Sequence, residues 1–332
     1  MPFRNRRELK ARADQALSNA FYDPRKIMLI YMGAFAAVML AVMTLQYFLD
    51  LGIADTGGLS GLGTRTMLET ASEVVRLAAT LAMPFWTAGY FCCVLAMIRG
   101  RAFGPATLLE GFRNFGPVLR LYLFRTIYTG ILFIACFYLG IQLFMLTPLS
   151  AGVSALLEPF LGQEQIVLDE ATLLAVEQAM LPGFLMVGLV FLVLAAPMLY
   201  NLRLAELALM DDPKAGAMAA YHRSRAMMRG NRLALFKLDL SFWWFYLLDG
   251  LALALCYADM LLPLVGIRLP MDTDLAFFLS YVLYLAAQTA LYVFARNKVE
   301  CTLAFGYVHA RADLEQRLAE LTRRFEAENT EN

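Results

Sequence analysis

Three aspartates, Asp239, Asp249 and Asp259, recur every ten residues through an otherwise apolar stretch of this 332-residue chain. An acid in such a setting can carry a proton or bind a cation. A charge at the centre of a membrane costs about 2.5–3.5 kcal/mol on insertion scales, which by default marks a functional position. Asp249 lies nearest the middle of the stretch and is the candidate functional acid. Gln288 and Gln142 are polar groups able to pair with it. Ten residues at 100° each leave a net turn of roughly 280°, so the three acids do not share a helix face. A proton wire along this one helix is therefore not expected. Asp239 falls near the inner boundary, beside Lys237 and Arg232, and Asp259 near the outer one.

The other reactive side chains point to no reaction. His222 and His309 are the only histidines, and both stand among arginines. Without a cysteine or carboxylate cluster they make no metal site. Cys92, Cys93, Cys136, Cys256 and Cys301 lie within apolar runs or just past one, with no CxxC pair, and read as small core residues. No GxSxG, Gly-rich phosphate loop or HExxH is present. No enzyme, cofactor or nucleic-acid partner is expected.

The elements that must position Asp249 are membrane spans. Hydrophobic residues make up 60% of the chain and charged residues 17%, against about 45–50% and about 25% in soluble domains. The excess falls into six runs, 27–49, 77–98, 126–149, 180–202, 240–263 and 275–295. Each is long enough to cross about 30 Å of hydrocarbon as a helix. Between the runs, Lys and Arg number 7 in residues 1–26, 2 in 50–76, 5 in 99–125, none in 150–179, 7 in 203–239, 1 in 264–274 and 6 in 296–332. Alternate segments thus hold 25 and 3. The basic side reads as cytoplasmic, which puts both termini inside. The fold class is all-α: a polytopic protein of six transmembrane helices. Residues 1–300 form one membrane domain, and 301–332 a cytoplasmic C-terminal helix with Leu314, Leu318 and Leu321 on one side.

Short amphipathic segments precede the outward spans. Arg6–Leu17 carries Leu9, Ala13 and Leu17 on one face, and Ala106–Phe124 carries Leu108, Phe112 and Phe115. The third, Pro213–Arg229, starts with Asp212 as cap and proline at its first position, and stops at Gly230. Their starts are spaced by roughly one hundred residues, a pattern of three repeats of interfacial helix plus hairpin. Such helices would lie in the plane of the inner leaflet. Arg223, Arg225, Arg229 and Arg232 would then meet anionic headgroups or a protein partner. Pro84, Pro148 and Pro197 interrupt spans two to four.

One join carries a recognisable signature: Ser224-Arg225, Met228, Gly230, Arg232, Phe236, Leu240, Ser241-Phe242 and Trp244. With Pro197, Tyr200 and Asp212-Pro213 ahead of it, it resembles an uncharacterised bacterial integral-membrane family, domain of unknown function 975. Arg7-Glu8-Leu9-Lys10-Ala13-Leu17 and the stretch from Gly104 to Phe115 are similar to that family's opening helix and middle element. The chain departs from the pattern at Trp243, where a glycine is expected, at Asp249, and at Pro263-Leu264. The resemblance implies a multi-span membrane protein and no substrate. The chain therefore reads as a multi-pass protein of the bacterial inner membrane, non-enzymatic, that organises, regulates or supports other membrane components. It would contact the bilayer, protein partners or further copies of itself. The alternatives are a small-solute or ion transporter using Asp249 and, more distantly, a lipid-modifying enzyme.

Overall fold

The computed structural model describes residues 3, 5–55, 59–158, 170–258, 261–262 and 273–331. Asp259, the Pro263-Leu264 pair and the acidic positions Glu164 and Asp169 lie outside them. Among the described residues the chain is helical, with no strand. Five helices are long and apolar enough to cross a membrane, or six when one bent pair counts as a single span. The run lengths explain this. Backbone polar groups have no water to bond in hydrocarbon, so a long uncharged segment satisfies them within a helix.

Two compact units divide the chain, one made of Met1–Leu119 with Glu206–Asn332 and the other of Arg120–Ala205. The first begins with α1 (Arg6–Ser18), α2 (Pro24–Asp55) and α3 (Leu59–Ile98). At 40 residues, α3 is about 60 Å long, twice the hydrocarbon thickness. After Gly100 the chain turns back along α3 as a 3-10 turn, Pro105–Leu109, and the short α4 (Glu110–Arg113). The backbones meet closely there. A Cβ on Gly89 would stand 1.8 Å from the Leu108 carbonyl oxygen, and one on Gly111 equally near that of Phe85. Phe85 also stacks on Phe115 at 4.6 Å between centroids. The expected helix over 106–124 is thus broken at Asn114, whose side chain bonds to the Glu110 carbonyl, and its second half belongs to α5 (Phe115–Met145).

The second unit holds most of α5, then α6 (Ala151–Leu157) and α7 (Glu170–Val190). A π turn at Phe191–Ala195 leads into α8 (Ala196–Leu199), where Pro197 stands. Proline lacks an N–H and crowds the carbonyl four residues back, and the wider turn accommodates it.

The first unit resumes with α9 (Ala205–Asp211) and a 3-10 turn at Pro213–Ala215. The helix expected from Pro213 instead starts four residues later, as α10 (Ala217–Met228). Gly216, at φ 82°, separates the two, and Asp212 makes no capping bond. Asp212 pairs with Arg223 at 3.0 Å instead. Gly230, also at φ 82°, ends α10, and the Asn231 amide donates to the Met227 carbonyl. The expected span 240–263 is not one straight helix. It is approached by α11 (Arg232–Leu240), which meets α12 (Trp243–Cys256) at a 69° bend. The last span, α13 (Thr273–Leu291), runs through a π turn at Tyr292–Arg296 into α14 (Asn297–Glu331) as one unbroken helical path.

Candidate functional site

Asp249 sits partly buried on α12 and faces the π turn after α13. It interacts with the Tyr292 hydroxyl, and its charge also reaches Tyr284. Gln288, a sequence candidate for its partner, bonds to Tyr284 instead. Asp249 Oδ1 is buried with no hydrogen-bond partner among the described residues. Two apolar grooves flank the helices of this unit, and Asp249 lines neither. Asp239 accepts a bond from Tyr246 at 3.2 Å.

Arg296, its side chain 19% exposed, stands one helical turn before Glu300, a spacing that allows an ion pair. The pair exists, Nε to Glu300 Oε1 at 3.7 Å, but it lies inside, with the Glu300 side chain only 7% exposed. Three tyrosines surround the guanidinium, with ring centroids 4.5 Å (Tyr292), 5.7 Å (Tyr31) and 5.8 Å (Tyr90) from Cζ. Each face-on contact contributes about 0.5–2 kcal/mol. The rings are themselves anchored. Tyr90 donates to Asn297 Oδ1 at 2.9 Å, and Asn297 donates to the Pro24 carbonyl at 2.8 Å. Tyr31 and Thr87 share a hydroxyl bond, while the Trp86 indole donates to the Tyr31 carbonyl. The π turn matters here, because it supplies both Tyr292 and Arg296. Glu300 Oε2 is buried without a hydrogen-bond partner among the described residues.

A second set of charges fastens the basic end. Arg6 donates to the Lys237 carbonyl at 3.2 Å and Lys10 to the Ser241 carbonyl at 2.9 Å. Lys237 lies in the last turn of α11 and Ser241 caps its end, where free carbonyls and the helix dipole attract cations. Lys10 also lies 4.0 Å above the Phe242 ring. Burial, then the charges of Lys298 and Arg6, hold its ammonium below the ordinary lysine value, against a smaller opposing pull from Asp14. Lys298 bonds to Asp14 at 2.8 Å, tying α1 to α14. Elsewhere Asp211, 4% exposed, takes ion pairs from Arg99 and Arg311 and a 2.8 Å bond from the Tyr307 hydroxyl. These join α9 to α3 and α14.

Of the signature residues, Ser224, Met228 and Phe242 are buried, and Ser241 is half-buried with its hydroxyl on the Leu238 carbonyl. Phe236 and Trp244 are exposed. Arg223, Arg225, Arg229 and Arg232 are exposed on α10 and at the start of α11. Leu233, Phe236, Leu240 and Trp243 make an exposed apolar line along α11 into α12. Sequence reasoning missed Asp211, Arg296 and its three tyrosines, and the contact made by Lys10, a residue of the opening-helix signature. The available signal for Arg296 was its place directly after 21 uncharged residues, with Glu300 one helical turn on.

Long apolar helices with a caged interior charge and a basic, tryptophan-flanked end define a helical protein compatible with a membrane. Residues 1–297 match the family described as Protein of unknown function (DUF975), and the chain belongs to that family. No curated protein and no solved structure matches it.

Proposed function

We propose that this is a non-enzymatic, multi-pass protein of the bacterial inner membrane that organises or supports other membrane components. Its N- and C-termini face the cytoplasm, and its basic end rests on anionic headgroups. The observation that carries this reading is the α11–α12 bend. An exposed apolar line, flanked by Arg229, Arg232 and Lys237, is turned 69° from the following span. That is the disposition of a helix lying in the interface, and Arg6 and Lys10 hold it there. The segregation of 25 basic residues against 3 supports the orientation. A supporting rather than transporting role is favoured by the engagement of the interior charges within the protein. Arg296 is engaged with tyrosines and Glu300, and Asp249 with Tyr292.

In a Trp86→Phe variant reconstituted in vesicles, only Trp243 and Trp244 remain. Lipids brominated near the headgroup are expected to quench them most. Strongest quenching from bromines at the chain ends, or no quenching, overturns the interfacial placement. Reporter fusions at each terminus read the orientation. The transporter alternative has the partnerless Asp249 Oδ1 in its favour. Proton or cation flux through vesicles holding the wild type, lost in Asp249→Asn, would replace the first reading with that one.

A further inference from the structure

An apolar groove of about 790 Å³ runs between α12 and α13, walled by Trp244, Leu248 and Leu255 on one side and Ala287, Ala290 and Phe294 on the other. Every lining side chain is apolar apart from the Trp244 indole N–H. The two ends differ. Trp244 and Phe294 mark the end next to the α11 bend, and there the Arg25 guanidinium lies 5.5 Å above the Phe294 ring. Arg25 is exposed, and among the described residues no carboxylate pairs with it. Asp23 is taken up by the Arg25 backbone N–H, at 2.9 Å.

We propose that this groove holds one anionic diacyl phospholipid, with an acyl chain in the trough and the phosphate against Arg25. An apolar groove with the unpaired Arg25 guanidinium at one end complements an amphiphile whose charge is at one end. The groove is also lined by the Trp244 indole, a group that favours headgroup depth. The proposal rests on the membrane reading above but not on its orientation.

The test uses the full-length protein in mild detergent, supplied with equal amounts of phosphatidylglycerol and phosphatidylcholine of matched chains. Retained lipid is counted by native mass spectrometry. The wild type is expected to keep one lipid per chain, with phosphatidylglycerol preferred. Arg25→Gln is expected to keep a lipid but lose about fivefold of that preference. Ala290→Phe, which fills the trough, is expected to lose retention of both. An unchanged preference in Arg25→Gln overturns the proposal, as does undiminished retention in Ala290→Phe. A wild-type dimer dissociated by Ala290→Phe would assign the groove to a second copy of the chain and also overturn it. Should Ala290→Phe fail to fold, the Arg25→Gln comparison decides alone. Retention in detergent is independent of which side the termini face, so failure here leaves the proposed orientation and interface contact to their own tests.

Discussion

Between residues 120 and 205 the helices meet through small side chains. A Cβ on Gly140 would lie 2.6 Å from the Val187 Cα, Gly183 lies against the Phe144 ring, and Cys136, Val190 and Ala195 form a small buried cluster. The side-chain hydrogen bonds of Thr147 and Ser150 there reach only to nearby carbonyls. The rest of the chain has close approaches of its own, at Gly89 and Gly111, and adds bonds between elements far apart in sequence. Tyr90 reaches Asn297, Asn297 reaches Pro24, Lys10 reaches Ser241, and Arg311 reaches Asp211. Lipid is as apolar as leucine, so in the proposed membrane setting burying leucines alone would drive no helix together. The two regions use the two remaining means, close backbone approach and polar bonds, in different proportions.

Substitutions can break that contrast. Arg296→Met leaves Glu300 buried without its cation. A loss of about 3–5 kcal/mol is expected, read as a large fall in the detergent unfolding temperature. The double variant with Glu300→Met should recover much of it, and no recovery would show that the tyrosine cage, not the ion pair, dominates. Asp211→Asn removes the negative charge shared by Arg99 and Arg311 and turns one acceptor oxygen into a donor, for about 1.5–3 kcal/mol, and should raise amide exchange in the part of α14 near Arg311. Gly140→Ala tests the other region by overpacking, at about 1–3 kcal/mol. If it unfolds only residues 120–205 in exchange measurements, the two regions are separately held. Lys10→Gln is the mildest, about 0.3–1 kcal/mol from lost dipole contact. Faster proteolysis of α1 with an unchanged unfolding temperature is the expected signature.

The long apolar helices were legible because a long uncharged run in hydrocarbon leaves a helix as the only way to satisfy its backbone. The face of α1 was legible too, since Leu9 and Ala13 follow helical spacing and both are buried. The bend at Ser241–Phe242 was not. Neither residue is a proline or glycine, and the Ser241 carbonyl is satisfied by Lys10, 231 residues away. The Arg296 cage was hidden for the same reason, because its rings come from α2, α3 and the turn after α13. Asp249 could be picked out as an isolated acid, but its partner Tyr292 depends on a π turn that no local pattern announces.

The Lys10 contact has a consequence for synthesis. At about 5–20 residues per second, the 231 residues separating Lys10 from Ser241 take roughly 12–46 s to be made. During that interval α1 exists with its cations and its buried face uncommitted, and its second anchor, Lys298, arrives later still. The opening helix is therefore among the last pieces to be latched, and a chain truncated before α11 is born with that latch permanently open.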